Sequence, residues 1–340
     1  MAGSRCEIGD AQGTLARSHL HRKTEPPLKL DSLVLLLGCL VLGWIVRQFG
    51  KTPPDLAPRL NWWVLNVALP ALVLDLIPSV KMDSHLWFMP IAMWLVFLGG
   101  WAFAALIGRA LGWSNARIGA TALAAGLGNT ALVGFPLIEM LRHKEALPFA
   151  ALSDQLGCSI ALAVGGITIA AIYGGGKPEP RVILRRVLLF PPFLALVAGV
   201  IIGAFGGWHP DGASPTEGWR AIAESFVARI GATLTPVALF SIGLNFNLRM
   251  SRDRLGAASL AMGWKLVIAP AFIFALGLLV GAKGLILAVA VLQAGMAPMA
   301  SVPILCQQYG LETEVANAAL GAGLAISLFT VPFINTLLPM

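Results

Sequence analysis

The sequence predicts an all-α integral membrane protein with ten transmembrane helices in two inverted five-helix repeats, of which helices 4 and 9 are discontinuous. The first observation is composition: 57% of the 340 residues are apolar and 12% are charged, with a mean hydropathy of +0.79. That charged share is about half the value typical of soluble domains. The second is a series of apolar runs of helix length, and the third is a set of motifs shared by the two halves.

Helices, not strands, are predicted to cross the membrane. A helix that spans a hydrocarbon core of about 30 Å needs roughly 20 apolar residues, so this chain has room for about ten spans and for no large extramembrane domain. The apolar runs are unbroken, whereas the strands of an outer-membrane barrel alternate apolar and polar residues. The net charge of +7 does not indicate nucleic-acid binding, because the basic residues cluster in the connections.

The chain is predicted to divide into four segments. Residues 1–30 form a polar tail of mixed charge that we expect to be disordered and that lacks a conventional signal peptide. The first repeat covers 31–173, a cytoplasmic linker covers 174–186, and the second repeat covers 187–340. The four cysteines lie far apart without a CxxC pair, so neither a disulfide framework nor a metal site is predicted.

The ten spans follow from the apolar runs between charged and turn residues. The first five spans are 31–49, 60–78, 86–108, 118–140 and 148–173, and the second five are 187–207, 222–247, 257–281, 284–309 and 315–338.

Two anchors relate the halves. Pro70-Ala71-Leu72-Val73-Leu74 in span 2 corresponds to Pro236-Val237-Ala238-Leu239-Phe240 in span 7, a shift of 166 residues. In spans 4 and 9, Pro136 corresponds to Pro303, a shift of 167. Five helices per repeat is an odd number, so the second copy enters the membrane from the opposite side, as in inverted-repeat carriers.

Basic residues in the connections predict the orientation, because Lys and Arg are retained on the cytoplasmic side. The connections after spans 1, 3, 5, 7 and 9 hold twelve Lys and Arg residues, and the opposite connections hold five. We therefore predict a multi-pass protein of the inner cell membrane with both termini outside. The basic residues of the N-terminal tail argue against this orientation, and their role is left open.

Spans 4 and 9 each contain a segment that is predicted to interrupt the helix. Span 4 carries glycines at Gly126, Gly128 and Gly134 before Pro136, and span 9 repeats the pattern from Gly295 to Pro303. Glycine lowers the cost of unwinding, and proline removes a backbone donor. Freed backbone groups are costly in lipid, so these breaks are expected to line a cavity or face protein.

Paired breaks in corresponding spans are typical of a transporter's binding site, where the N-termini of half-helices attract an anion. Asn129 and Thr130 add uncharged side-chain donors, which favours a carboxylate ligand. The candidate binding residues are Gly128, Asn129, Thr130, Met296, Ala297, Pro298 and Ser301, and the candidate hinge residues are Gly126, Gly134, Pro136, Gly295 and Pro303.

Several ordered segments of residues 31–338 resemble the auxin efflux carrier family, which includes plant PIN carriers and bacterial organic-acid permeases. The segments are Leu60-Asn61 with Val67-Ala68-Leu69-Pro70-Ala71-Leu72, Gly128-Asn129-Thr130 with Gly134-Phe135-Pro136, Phe190-Pro191-Pro192-Phe193, Pro236-Val237-Ala238-Leu239 with Gly243-Leu244, and Met296-Ala297-Pro298-Met299 with Gln308-Tyr309-Gly310.

The resemblance implies crossed discontinuous helices 4 and 9, as in bile acid sodium symporters, and an elevator-type carrier in which Asn129 meets the carboxylate of a weak organic acid. The sequence departs from the PIN pattern at Gly128, where PIN carriers have proline, and it lacks the long cytoplasmic loop of many PINs. The bacterial branch fits better. This favours small carboxylates such as malonate or malate over an auxin-like indole acid.

Buried ionisable residues are candidates for ion coupling, since charges within a membrane are costly. Asp154 and Lys265 lie deep in spans 5 and 8. They are expected to form either a structural ion pair or part of a coupling relay. Gln293 is a candidate cation ligand, so Na⁺ or H⁺ coupling is left open, and no cofactor is predicted. Asp75, Glu139 and Arg229 lie near span ends, where long side chains reach the interface.

Three alternatives remain. A sodium-coupled symporter of the bile-acid type, or a cation/proton antiporter, has the same architecture. A sensor binds the same acids without transport. An intramembrane enzyme is disfavoured, because the sequence has no HExxH, GxSxG or DDxxD motif. A homodimer is left open by the small-residue pairs Gly99-Gly100 and Gly165-Gly166, which suit helix packing within or between protomers.

Overall fold

The structure is a computed structural model that describes residues 30–50, 52–53, 55–80, 84–176, 180–208, 219–245 and 254–338. Nearly all of the predicted N-terminal tail lies outside these residues. Within them, the regular structure is helical, with one isolated antiparallel bridge between Gly128 and Pro298 and no longer strand. The all-helical class that the sequence predicts is therefore confirmed.

Seventeen α-helices are present in the described residues, and helical structure covers part of each of the ten predicted spans. One helix, α9, lies largely within the segment predicted as a linker. The helices are α1 Leu30–Phe49, α2 Leu56–Trp63, α3 Leu69–Leu76, α4 Phe88–Ala110, α5 Asn115–Gly126, α6 Phe135–Arg142, α7 Leu147–Leu152, α8 Ile167–Tyr173, α9 Pro180–Leu188, α10 Pro191–Ala204, α11 Trp219–Gly231, α12 Leu234–Asn245, α13 Leu255–Gly263, α14 Ala269–Leu279, α15 Gly284–Ala294, α16 Val302–Gln308 and α17 Thr313–Leu337.

Six helical stretches of the described residues are long and apolar enough to cross a membrane, by length and composition. Several apolar helices of this length in one chain are characteristic of a multi-pass membrane protein. The six are Leu56–Ser79, His85–Ala110, Lys144–Tyr173, Trp219–Leu244, Leu255–Leu279 and Thr313–Leu337, and shorter apolar helices are Leu37–Phe49, Pro191–Ala204 and Gly284–Ala294.

Three π-helical segments of the described residues, each five residues long, end two residues before a proline. The segments Val64–Ala68, Thr130–Gly134 and Trp264–Ile268 precede Pro70, Pro136 and Pro270, respectively. Proline offers no N–H to the carbonyl four residues earlier, and its ring crowds that carbonyl. The wider π turn accommodates this defect without ending the helix.

The helices pack in two groups, each with more extensive contacts inside it than with the other. We call α1 to α3 and α10 to α12 the scaffold group, and α4 to α8 with α13 to α17 the core group. In the scaffold group, α1 and α12 cross at Gly43 and Gly243, where a Cβ on Gly243 would lie 2.2 Å from the Leu40 carbonyl oxygen. Glycine at both positions permits this close approach.

The small-residue pairs noted in the sequence pack inside the chain. A Cβ on Gly99 would lie 2.5 Å from the Trp264 ring, and one on Gly165 would lie 2.3 Å from the Phe97 ring. Gly100 packs against the backbone at Gly126. These glycines therefore serve helix packing within the protomer.

An ion cluster joins three helix ends of the core group. Glu312, just before α17, accepts hydrogen bonds from Arg117 of α5 (Nε to Oε2, 3.0 Å) and from Arg254 beside α13 (Nη1 to Oε2, 2.6 Å). The Ser114 hydroxyl donates to the same carboxylate at 3.1 Å. The cluster fixes the relative positions of these three helices on one side of the molecule.

Candidate functional site

Two helix interruptions meet at the centre of the core group. Helix α5 ends at Gly126 and helical structure resumes at Thr130, while α15 ends at Ala294 and α16 begins at Val302. We call residues 127–129 and 295–301 the paired breaks. The Asn129 N–H donates to the Ala297 carbonyl at 2.7 Å, and the Met299 N–H donates to the Leu127 carbonyl at 3.0 Å. The backbone groups freed by each break are thus satisfied partly by the other.

Asn129 has a side-chain amide whose two ends have different surroundings. Its Oδ1 accepts the Leu132 N–H at 3.2 Å and so caps the helical structure that begins at Thr130. Its Nδ2 is buried and has no hydrogen-bond partner in the described residues, although the side chain is only 3% exposed. A buried polar group without a partner is costly and marks a place where a ligand or water fits.

Asn129 lines a cavity of about 900 Å³ between the two helix groups. The scaffold group contributes Asn61, Asn66 and Ser241, and the core group contributes Leu132 and Pro303. The cavity also reaches helix ends on the side predicted to be cytoplasmic, where Arg47, Arg254 and Glu314 line it. Its volume is within the range of small-molecule sites in proteins.

The polar residues of the cavity wall are held by local hydrogen bonds. The Ser241 hydroxyl donates to Asn61 Oδ1 at 2.7 Å, and Asn66 Nδ2 donates to the Trp62 carbonyl at 2.9 Å. Asn61 was predicted only as part of a family motif, and Asn66 and Ser241 were not among the predicted site residues. The signal for them was available, because Asn61 and Asn66 are polar residues inside an otherwise apolar span.

The buried carboxylate of Asp154 lies beside the first break, residues 127–129. Asp154 accepts a short hydrogen bond from the Thr130 hydroxyl and another from Gln155 Nε2 at 2.6 Å, and Ser159 lies 3.5 Å from its second oxygen. The Cys158 thiol donates to the Gly128 carbonyl at 3.2 Å. Thr130, predicted as a ligand donor, therefore donates to Asp154 in this structure.

Lys265 lies at the same break. It is fully buried in the π-helical segment between α13 and α14, and a Cβ on Gly128 would lie 2.8 Å from its Nζ. No ion pair within 4.0 Å joins Lys265 to Asp154 in the described residues. Of the two roles suggested by the sequence, a direct ion pair is therefore not formed here.

Gln293 is the third coupling candidate. It is fully buried, and neither its Nε2 nor its Oε1 has a partner in the described residues. A Cβ on Gly134 would lie 2.6 Å from the Oε1 atom. The described residues contain no group of three or more His, Cys, Asp or Glu side chains that would hold a metal ion, so a cation here would rely on amide and backbone oxygens.

The other predicted site residues are divided among different surroundings. Met296 and Ala297 are fully buried, and Ala297 contributes its carbonyl to Asn129. Pro298 packs on Gly323, and Ser301 lines a separate cavity of about 310 Å³ with Gln155. The hinge candidates stand at helix ends: Gly126 ends α5, Gly134 ends the π-helical segment, Gly295 follows α15, and Pro136 and Pro303 are the second residues of α6 and α16.

Two of the charged residues near span ends make side-chain hydrogen bonds. Glu139 of α6 accepts the Thr235 hydroxyl of α12 at 3.0 Å, which links the two helix groups. Arg229 donates to Ser225 at 3.3 Å within α11. These contacts place both residues outside the paired breaks.

Curated proteins similar to this chain over most of its length carry transporter names. An uncharacterized transporter of Methanothermobacter thermautotrophicus is 24% identical over 91% of this chain and 98% of its own length. An uncharacterized transporter of Methanocaldococcus jannaschii is 23% identical over 89% of this chain and 97% of its own. A Rhizobium meliloti protein named "Putative malonate transporter" is 27% identical over 89% of this chain and 94% of its own.

A family model described as "Membrane transport protein" matches residues 30–181 and 177–335, which together are nearly all of the described chain. This family is the auxin efflux carrier group that the ordered sequence motifs indicate, and its members are transporters and not enzymes. Together with helices that suit a bilayer and a cavity that reaches the paired breaks, this match shows that the chain belongs to the membrane transport protein family.

Proposed function

We propose that this membrane transporter is an elevator-type secondary carrier of small organic anions, with a carboxylate bound at Asn129. The substrates we expect are malonate, malate or an auxin-like weak acid. The observation that carries the proposal is the buried Asn129 Nδ2, which has no partner in the described residues and belongs to a side chain that lines the large cavity.

The chemistry of this end of the cavity favours an anion over a cation. The free end of Asn129 is a donor, because its oxygen is already used by the Leu132 N–H. The helical structure that runs from Thr130 to Arg142 begins beside Asn129, and the N-terminal end of a helix attracts negative charge. A carboxylate oxygen would accept the Nδ2 hydrogen bond in this position.

One arginine that lines the cavity adds to this preference. Arg47 lies at the end of the cavity on the side predicted as cytoplasmic, whereas the guanidinium of Arg254, also there, is paired with Glu312 and Glu314, which offset its charge. Positive charge in a cleft concentrates anions from solution. The neutral donor of Asn129 would then bind the acid weakly enough to release it.

The relatives support a small carboxylate in particular. The Rhizobium meliloti protein carries the name of a malonate transporter, and its similarity to this chain spans nearly its whole length. At 27% identity this likeness favours the substrate class and leaves the individual acid to experiment.

The two helix groups support an elevator mechanism. The paired breaks belong to the core group, and the cavity lies between that group and the scaffold group. In the proposal the core group carries the bound acid across the scaffold, and the two five-helix repeats make the outward and inward states similar. The described state is then the inward-open one, with both termini outside the inner membrane.

Uptake of radiolabelled acids into proteoliposomes tests the proposal. Wild type is compared with Asn129→Ala and with Asn115→Ala, a matched control at an exposed position at the start of α5. We expect malonate or malate uptake by wild type and Asn115→Ala, and about tenfold less by Asn129→Ala, since the loss of one hydrogen bond is worth about 1.4 kcal/mol. Equal uptake by all three proteins would contradict the proposal.

A sodium-coupled carrier is the second candidate, and Gln293 is the observation that favours it. Its buried Oε1 has no hydrogen-bond partner in the described residues, and an amide oxygen is a suitable ligand for a sodium ion. The same uptake assay distinguishes the two cases by its gradients. Uptake that requires an inward sodium gradient supports a cation site at Gln293. Uptake driven by a proton gradient in sodium-free buffer argues against that site.

A further inference from the structure

The buried ammonium of Lys265 serves neither the cavity nor an ion pair within the described residues. Its side chain is 1% exposed and is not among the residues that line the 900 Å³ cavity. Asp154 and Lys265 are the charged residues among the fully buried polar ones in the described chain. A charge in this position is costly within a membrane protein, so its retention requires a compensating interaction.

The ammonium lies against the paired breaks. A Cβ on Gly128 would be 2.8 Å from Lys265 Nζ and 2.9 Å from Cε, so the end of the lysine side chain occupies the space that a residue other than glycine would fill. This explains physically why glycine stands at position 128. Any larger residue there would have to displace the ammonium.

Negative charge and negative ends of helices lie around the paired breaks. Helix α5, with twelve residues, ends at Gly126, and the C-terminal end of a helix carries a partial negative charge. The Asp154 carboxylate is connected to the other side of this break through Thr130. Helix α15, with eleven residues, ends at Ala294 in the second break, which pairs with the first.

We infer that Lys265 is a tethered cation that holds the paired breaks together, in the role that a bound metal cation would otherwise have. The ammonium stabilises the C-terminal end of α5 and offsets the Asp154 carboxylate, while its covalent attachment keeps it in place throughout transport. The inference concerns the protein without substrate and does not depend on which acid is carried. Lys265 is thus a positioning residue for Asn129, one residue beyond Gly128.

The first test is chemical rescue of Lys265→Ala. The unfolding temperature of the purified protein is measured without any organic acid in N-methylglucamine chloride, and then with added n-propylammonium or tetramethylammonium chloride. We expect Lys265→Ala to unfold several degrees below wild type, and n-propylammonium to recover at least half of that loss. Tetramethylammonium, which is too broad for the vacated space and donates no hydrogen bond, should recover little.

Wild type and Lys283→Ala, which removes an exposed lysine, are the controls and should not respond to n-propylammonium. The inference is overturned if Lys265→Ala unfolds at the wild-type temperature, or if both ammonium ions have the same effect on it. Because no acid is present, this result is independent of the uptake assay, and either proposal can fail without the other.

A second variant keeps the test decisive if Lys265→Ala does not fold. Gly128→Ala places a methyl group on the ammonium site, whereas Gly263→Ala, at the end of α13, meets nothing within 4 Å. We expect Gly128→Ala to lower the unfolding temperature and Gly263→Ala to leave it unchanged. An equal effect of the two substitutions would overturn the inference. Where Lys265→Ala does fold, Gly128→Ala should lower the unfolding temperature by less in that background than in wild type, because both substitutions change the same space.

Discussion

At the scale of single residues, the side chain of Asn129 combines a structural contact with a free donor. Its oxygen caps the helical structure after the break, and its nitrogen has no partner in the described residues. Alanine removes both features, and loss of a cap costs about 1 kcal/mol by itself. Aspartate keeps the capping oxygen and replaces the donor with a charged acceptor, so it retains the cap while it removes the hydrogen bond to a carboxylate.

Thr130 allows a prediction about the support behind the site. Thr130→Val removes the hydroxyl that donates to the buried Asp154, and leaves that carboxylate short of a donor. We expect a loss of about 1–3 kcal/mol in the free energy of unfolding. Thr130→Ser keeps the hydroxyl and is the control. Denaturation monitored by tryptophan fluorescence measures the effect, and a valine variant as stable as the serine variant would contradict it.

The site residues could be predicted from the sequence in part. The concentration of glycine and proline in spans 4 and 9 is enough to select residues 126–136 and 295–303, because few straight helices tolerate it. The direction of each side chain could not be predicted. Thr130 turns toward Asp154 and Ser301 toward the smaller cavity, and these directions depend on tertiary packing that no local pattern encodes.

At the scale of secondary-structure elements, proline marks the places where the helices change their hydrogen-bond pattern. Pro136 lies within the first turn of α6, and the preceding π-helical turn accommodates its missing donor. The helix is interrupted earlier, at 127–129, where the partner break supplies hydrogen bonds. The sequence indicates that the helix is disturbed near Pro136. Whether the disturbance is a π turn or a break in the helix depends on the second break, residues 295–301, which supplies the hydrogen bonds.

Close packing of α1 on α12 supports a prediction about the scaffold group. Gly243→Ala would place a Cβ 2.2 Å from the Leu40 carbonyl oxygen, so the two helices must separate. Overpacking of this kind typically costs about 1–3 kcal/mol. We expect a lower unfolding temperature for Gly243→Ala, measured by differential scanning fluorimetry. Gly256→Ala, with nothing within 4 Å, is the matched control, and equal unfolding temperatures would show that the helices do not pack this closely.

At the scale of the whole molecule, the multi-pass helical class follows from composition alone, because so apolar a chain must bury its backbone in helices within lipid. The division into two packing groups does not follow from the spans. It depends on which faces meet, for example Gly43 on Gly243, and on contacts between residues far apart in sequence. The inverted repeat stays a prediction based on two short motifs.

Movement of one group against the other predicts that a cross-link between them stops transport. Glu139 of the core group and Thr235 of the scaffold group are hydrogen-bonded through their side-chain ends at 3.0 Å, so cysteines at these two positions would lie within reach of a short bifunctional thiol cross-linker. In a background without the four native cysteines, treatment of Glu139→Cys/Thr235→Cys with a bismethanethiosulfonate cross-linker should abolish acid uptake, and reduction should restore it.

A cross-link inside the core group is the control for this experiment. Ser114 and Glu312 are hydrogen-bonded at 3.1 Å, and both belong to elements that are expected to move together. Ser114→Cys/Glu312→Cys treated with the same cross-linker should retain uptake. Continued uptake by the fully cross-linked Glu139/Thr235 pair would rule out relative movement of the groups at this contact.

The most direct test of the central claim is the equilibrium binding of malonate to purified wild type and to Asn129→Asp. Both proteins are measured under conditions in which each is folded. Aspartate preserves the acceptor for the Leu132 N–H and places a negative charge where Nδ2 now lies. We predict that wild type binds malonate and that Asn129→Asp binds at least tenfold more weakly, because like charges repel and the donor is lost. Unchanged affinity in a folded Asn129→Asp protein would contradict a carboxylate site at Asn129.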